Sequence, residues 1–215
     1  MMPSLPDERA PRRRVLTALG TAVTAGLGGC SGRIPGTTPV RLDAELGVED
    51  DRQLRWQYPP RDGDRDGIGY ASVTVDRRLR RASLPPAIRL TLDATVGGIA
   101  AGETYRDYRL EWVRFRLWPP TAYEATLHHS VRVAPPGQWE GFSTYYDIHG
   151  DVRRTTVELR NVETQGTVEI PAVFDPGSAP LPDRLHCSFT LRAAGPGVLG
   201  KTVRVTGQGT LPLEK

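Results

Sequence analysis

The chain has 215 residues, of which 38% are apolar and 25% charged, and its formal net charge is +3. This composition is typical of a soluble globular protein and excludes a polytopic membrane protein or a wholly disordered chain. Only two cysteines are present, so a hydrophobic core rather than disulfide bonds must hold a fold of this size together.

Residues 1–29 are predicted to form a signal peptide. Arg12 and Arg13 lie in a basic region, and the run that follows, residues 15–29, is uncharged. That run is shorter than the roughly 20 residues that a membrane-spanning helix needs. A basic region followed by a short apolar one is typical of export signals.

Two motifs in this segment resemble those of a known class of precursor. The run Arg12-Arg13-Arg14-Val15-Leu16 resembles the twin-arginine export pattern, in which two arginines and any residue precede two apolar ones. The run Leu27-Gly28-Gly29-Cys30 resembles a lipobox, where small residues fit the peptidase and the cysteine sulfur carries the lipid. The segment is therefore similar to the signals of twin-arginine-exported prokaryotic lipoprotein precursors, which are common among haloarchaeal surface proteins.

The resemblance implies a lipid anchor on Cys30 and a location at the outer face of the cytoplasmic membrane, on the cell surface. All but two of the 28 Lys and Arg residues are arginine, which is compatible with a haloarchaeal source. Haloarchaeal proteins are usually strongly acidic and this chain is not, so an actinobacterial-type source stays open. An ordinary signal with an incidental Cys30 is the alternative.

Residues 30–39 are predicted to form the lipidated end and a Gly/Pro/Thr-rich linker, and residues 40–215 a β-domain. Apolar and polar residues alternate after residue 40, a period of two that indicates strands. About ten strands are expected, near residues 40–46, 53–58, 68–75, 88–93, 108–117, 123–133, 139–148, 155–161, 166–170, 185–193 and 201–211.

Clusters rich in Pro and Gly separate these stretches, which predicts an all-β, antiparallel β-sandwich. An immunoglobulin-like topology is one option, and two small sandwiches divided at Pro119-Pro120 are the alternative to one. The alternation slips by one residue between Trp112 and Val113, which predicts a β-bulge or a change of sheet. Residues 76–82 are expected to be a helical turn or a charged loop.

A calcium site is the sharpest candidate in the predicted domain. Asp62, Asp64 and Asp66 alternate and precede Gly67, as in the first half of a calcium-binding loop, and the Ile68 carbonyl is the expected backbone ligand. Val73 stands where an EF-hand supplies a bidentate glutamate. A solvated hairpin loop is therefore the alternative to a calcium site.

Other candidates for chemistry have simpler structural explanations. The four histidines, His128, His129, His149 and His186, lack zinc-ligand spacing and are expected to be structural or exposed. Cys187 lies in an alternating stretch and is expected to be a buried apolar residue. The aromatic stretch 139–146 is expected to belong to the core. No motif of a nucleophilic, nucleotide-binding or zinc enzyme occurs in the sequence.

The sequence thus predicts a membrane-tethered extracytoplasmic lipoprotein with a non-enzymatic binding or envelope-structural β-domain. Its partners are expected to be the membrane, through the lipid, and a protein or glycan. No nucleic-acid partner is expected, because the arginines are dispersed among carboxylates. No cofactor is expected beyond Ca²⁺. The alternatives are a binding module ordered by Ca²⁺ at residues 62–67 and an envelope hydrolase with dispersed catalytic residues.

Overall fold

The computed structural model describes residues 39–49, 52–58, 67–123, 126–134, 140–197 and 200–213. These residues form twelve strands: β1 Val40–Asp43, β2 Glu45–Glu49, β3 Gln53–Tyr58, β4 Gly69–Leu79, β5 Ala87–Val96, β6 Arg109–Trp118, β7 Ser130–Val133, β8 Phe142–His149, β9 Val152–Thr164, β10 Gly166–Asp175, β11 Arg184–Ala194 and β12 Thr202–Pro212. Two 3₁₀ helices, Gly98–Ala100 and Glu103–Tyr105, connect β5 to β6. Within the described segments, neither helix has the length and apolarity required to span a bilayer.

The strands form two sheets of six, packed face to face. Sheet 1 has the order β1-β12-β11-β6-β9-β8 and sheet 2 the order β2-β3-β4-β5-β10-β7. Neighbouring strands are antiparallel, except that β1 runs parallel to β12. The predicted all-β antiparallel sandwich is confirmed. Strands before and after Pro119-Pro120 share both sheets, so the described residues form one sandwich.

Two of the crossovers between the sheets form an interlocked pair. The chain passes from β5 in sheet 2 to β6 in sheet 1, and again from β10 to β11. Within the sheets β5 pairs with β10 and β6 pairs with β11. This is the Greek-key arrangement of immunoglobulin-like sandwiches.

The core lies between the sheets, and an aromatic cluster occupies its centre. The Trp56 ring from sheet 2 lies 5.2 Å from the Phe189 ring of sheet 1, centroid to centroid, and Tyr58 lies 5.9 Å from the same ring. The Trp56 indole N–H donates a hydrogen bond of 3.1 Å to the Gln208 carbonyl on β12. A buried tryptophan needs such a partner, so this bond fixes β3 against β12.

Glycine on β12 makes room for this indole. A Cβ at Gly207 would overlap the Phe189 ring and lie 3.1 Å from Trp56 Cδ1, and one at Gly209 would lie 3.2 Å from Trp56 Cζ2. Glycine is unfavourable inside a strand and often marks a close approach of another group. The two glycines are therefore positions where the Trp56 ring of sheet 2 closely approaches the backbone of β12.

Several predicted elements differ from the structure. The stretch 40–46 is two strands, because the chain leaves sheet 1 at Ala44, whose N–H donates to the Thr206 carbonyl, and enters sheet 2. Residues 76–79 are neither helical turn nor loop but continue β4 beyond a bulge at Asp76. Among the described residues of the stretch 123–133, which omit 124 and 125, only β7 is a strand.

The aromatic stretch on β8 was expected in the core, and this is wrong for Tyr145 and Tyr146, which are 46% and 59% exposed. β8 is an edge strand of sheet 1, and almost all of its residues are exposed. The Arg153 guanidinium carbon lies 3.7 Å from the centroid of the Tyr146 ring, over its face. This cation–π contact packs against a ring that the opposite sheet does not bury.

Replacing Gly207 by Ala tests the close approach of the Phe189 and Trp56 rings to the backbone of β12. We expect Gly207→Ala to lower the free energy of unfolding by about 1–3 kcal/mol, because the added methyl must displace the Phe189 ring from a packed core. Urea unfolding followed by tryptophan fluorescence measures the change. Gly67→Ala is the control, since its Cβ meets only the Tyr58 carbonyl at 3.7 Å. Equal stability of both variants would contradict the close approach.

Candidate functional site

The sequence-predicted site residues fall outside the described part of the chain. Arg12, Arg13 and Cys30 precede it, and Asp62, Asp64 and Asp66 lie in the gap between residues 58 and 67. The export signal, the lipidation site and the calcium loop therefore stay predictions. Among the described residues, no group of three or more His, Cys, Asp or Glu side chains is placed to hold a metal ion.

The end of the predicted calcium loop is held by backbone hydrogen bonds. The Ile68 N–H donates to the Tyr58 carbonyl at 2.7 Å, and the Ile68 carbonyl accepts from Gly97 at 3.0 Å. One lone pair of the expected backbone ligand is thus already in use. A cation in the loop would have to share this carbonyl.

Cys187 and the buried histidines have structural roles. Cys187 is fully buried, and burial raises the pKa of its thiol far above the usual value. His129 is fully buried and stacks on Phe174, with ring centroids 5.4 Å apart. The His186 ring lies 5.7 Å from the Trp118 ring in a tilted arrangement, and partial burial, with the charge of Arg184, lowers the pKa of His186. The predicted burial of Cys187 is confirmed.

A bulge on the outer face of sheet 1 creates a groove that the sequence did not locate as a site. Leu110 pairs with Thr164 and Trp112 with Arg160, so residues 161–163 of β9 lie opposite Glu111 alone. On its other side, opposite β11, β6 itself has one extra residue, so Glu111 and Trp112 both line the groove while Leu110 and Val113 are fully buried. The slip in alternation predicted near Trp112 is confirmed as a β-bulge.

The bulge contains two residues in a left-handed backbone conformation. Asn161 has φ of 56° and Glu163 has φ of 46°. Asn tolerates this region, but for Glu it costs about 1–2 kcal/mol. Such strain persists only where the surrounding structure imposes it, and it is concentrated at functional sites.

The groove beside the bulge has a volume of about 440 Å³ and is lined by charged groups of both signs. Its charged residues are Arg114, Arg160, Arg192, Glu111, Glu158 and Glu163. Trp112 and Asn161 complete the lining. An aromatic ring beside arginine and carboxylate groups suits a polar ligand that also presents an apolar face.

Glu158 is the best-buried charge of the groove. It is 1% exposed, and its Oε2 accepts a hydrogen bond of 2.5 Å from Arg114 Nε, while its Oε1 accepts one from Arg160 Nε. Burial alone would raise the pKa of this carboxyl, but the hydrogen bonds and positive charges of Arg114 and Arg160 outweigh it and hold the pKa below its usual value. Glu158 is therefore ionised at neutral pH and holds both guanidinium groups in place.

A second ion pair lies on the side of the groove formed by β6 and β11. Arg192 Nε on β11 lies 2.5 Å from Glu111 Oε2 on β6. Opposite β11 the extra residue belongs to β6, because Arg192 pairs with Trp112 and Ala193 with Leu110, and this extra residue is Glu111. Apart from Glu163, the charged residues of the groove thus form ion pairs with one another.

Comparison with known proteins finds only weak structural likeness. No protein-family model matches it, and no curated protein does. It is similar to an uncharacterized protein from Nocardia farcinica with an immunoglobulin-like fold, at 10% identity and a TM-score of 0.34, over 61% of this chain and 92% of that one. It is also similar to the collagen-binding domain of a Staphylococcus aureus adhesin, at 10% identity and a TM-score of 0.28, over 57% and 88%.

A third similar structure is AvmM, which catalyses macrocyclization in alchivemycin A biosynthesis, at 8% identity and a TM-score of 0.31, over 66% of this chain and 89% of that one. Likeness at this level carries no inference about this chain, so its own residues must indicate a function.

Glu158→Gln tests the electrostatics of the groove. We expect it to lower the free energy of unfolding at pH 7 by about 1–3 kcal/mol, because Arg114 loses a charged partner. The pKa of Glu158 is lowered by folding, so its stabilising effect is complete above the pKa of an unfolded glutamate, about 4.3, and is lost as the pH falls through the folded pKa.

The measurement is urea unfolding of both proteins at pH 7 and near pH 3. The difference between wild type and Glu158→Gln should shrink at the lower pH. Glu103→Gln, at an exposed residue of a 3₁₀ helix, is the control and should change neither value. A difference that stays constant across the pH range would refute the assignment.

Proposed function

We propose that the protein is a lipid-anchored, extracytoplasmic binding module that holds a polar ligand in the groove beside the β9 bulge. The observation that carries the proposal is the groove itself. Trp112 lines it beside Arg114 and Arg192, which form ion pairs with Glu158 and Glu111. Strain at Glu163 supports it, since glycine at this position would adopt the left-handed conformation without that cost.

The groove favours binding over catalysis. A general acid or base needs a pKa near the working pH, whereas paired arginines hold the pKa of Glu158 below its usual value. Cys187 is buried and its thiol is protonated, so it is not a nucleophile. These properties support a non-enzymatic domain rather than an envelope hydrolase.

The proposed location rests on the N-terminal sequence. The twin-arginine pattern at Arg12 and Arg13, the run ending in Cys30 and the linker at residues 31–39 occur in the order that an anchored precursor requires. The linker is short, so the sandwich would stay close to the membrane surface. Ordering of residues 62–67 by Ca²⁺ through Asp62, Asp64 and Asp66 is part of the proposal as an accessory site.

Cys30→Ser tests the anchor. In cells that process lipoproteins, we expect the wild-type protein to fractionate with membranes and the variant to be released, because no other residue would carry the lipid. Cys187→Ser is the matched control and should remain with membranes, since Cys187 is buried in the sandwich. Immunoblotting of membrane and released fractions decides, and a Cys30→Ser protein that stays in the membrane fraction would refute the anchor.

The double variant Trp112→Ala/Arg192→Gln tests the groove. Both this variant and the protein with an unaltered groove carry Cys30→Ser. We expect the variant to bind isolated cell envelopes of the source organism at least tenfold more weakly than the protein with the unaltered groove. Such a loss corresponds to about 1.4 kcal/mol, the scale of one charged hydrogen bond.

Trp118→Ala is the control, because Trp118 is at the far end of β6, outside the groove. Circular dichroism and melting temperature establish that each variant is folded. Equal envelope binding by the groove variant and the control would rule the groove out as the binding site.

A further inference from the structure

A row of arginines crosses the outer face of sheet 1 and passes through the groove. Strand pairing places Arg41 of β1 beside Arg204 of β12, and Arg204 beside Arg192 of β11. The row continues with Trp112 of β6 and Arg160 of β9. We call these five residues the arginine row. Neighbouring strands lie about 4.8 Å apart, so the row is about 19 Å long.

The outer end of the row is available to a ligand. Arg41 and Arg204 are exposed and form no ion pair with any described residue. Arg160 and Arg192 are paired with carboxylates, yet their side chains are 64% and 42% exposed. Two adjacent arginines without counter-charges repel each other, and an anion that bridges them would relieve this.

Hydroxyl and amide groups lie alongside the row. A second depression of about 470 Å³ opens on the same face and is lined by Asp43, Ser188, Thr190, Thr206 and Gln208. Thr206 and Thr190 are each two residues along their strands from Arg204 and Arg192, and they pair with each other. The face therefore offers arginines in one line and, in the next, hydroxyl and amide groups together with the Asp43 carboxylate.

We propose that the arginine row binds an acidic polysaccharide, an inference that rests on the groove being a binding site. Carboxylates of the chain would pair with Arg41, Arg204 and the exposed side of Arg192, and a sugar ring would pack on Trp112. Sugar hydroxyls would bond to the neighbouring threonines and to the groove carboxylates. A linear polymer, rather than a single small ion, fits a row of this length.

The carboxylates of the groove distinguish this ligand from a phosphodiester chain. Glu111, Glu158 and Glu163 stand beside the row, and each would repel a polymer that carries a charge at every closely spaced unit. A uronate chain carries its charges farther apart, and hydroxyl groups lie between them. These hydroxyl groups can donate hydrogen bonds to a glutamate carboxylate. The mixture of signs thus favours a sparsely charged, hydroxyl-rich polymer.

The test uses the full chain with Cys30→Ser and a galacturonate oligomer as the probe, measured by calorimetry at low and at physiological salt. We expect binding that weakens with salt. We expect none to the methyl-esterified, neutral oligomer. Arg41→Gln/Arg204→Gln should weaken binding at least tenfold. Arg77→Gln/Arg106→Gln, which removes the same charge from exposed positions outside sheet 1, should change it less than twofold.

Three results would overturn the inference. They are no binding of the uronate oligomer, equal binding by the row variant and its control, and tighter binding to oligodeoxythymidylate or to phosphatidylglycerol vesicles than to the uronate. If any of these occurs while the Trp112→Ala/Arg192→Gln protein still loses envelope binding, the groove remains the binding site and only the ligand class is wrong. If envelope binding is also independent of Trp112 and Arg192, the proposed function fails as well.

Discussion

The contact between Trp56 and β12 is the constraint on which the rest of the sandwich depends. The indole reaches from sheet 2 across the core and donates to the Gln208 carbonyl of sheet 1. It has room only because Gly207 and Gly209 lack side chains. Around it, Phe189 contacts Tyr58 and Phe115, with ring centroids 5.9 and 6.3 Å apart, so four aromatic rings from both sheets set the spacing between them.

This inner packing leaves the outer face of sheet 1 free for polar groups. Leu110 and Val113 are both fully buried on β6, and the residues between them must then both face outward. The bulge therefore follows from the demands of the core, and it delivers Glu111 and Trp112 to one place on the outer surface. Glu158, buried on that face, can remain charged because Arg114 and Arg160 neutralise it. A rigid sandwich thus carries a charged groove whose geometry is set before any ligand arrives.

The sequence predicted the fold class and most strands because each strand has one buried face, which leaves a period of two in the pattern of residues. It also located the bulge, since Trp112 and Val113 break that period. It did not predict the change of sheet at Ala44, because the alternation continues across that junction. Nor did it predict the exposure of Tyr145 and Tyr146, which depends on β8 being an edge strand of sheet 1. The arginine row could not be predicted, because Arg41, Arg160 and Arg204 become neighbours only through strand pairing.

The central claim is that the outer face of sheet 1 is where this protein binds its ligand. Backbone amide and indole chemical shifts, followed by NMR as galacturonate oligomers or solubilised envelope fragments are added, test it residue by residue. The account predicts that shifts cluster at the Trp112 indole, at residues 158–163 and along β11 and β12. Shifts confined to the outer face of sheet 2, around Tyr70 and Asp93, or to the β8 edge would contradict it.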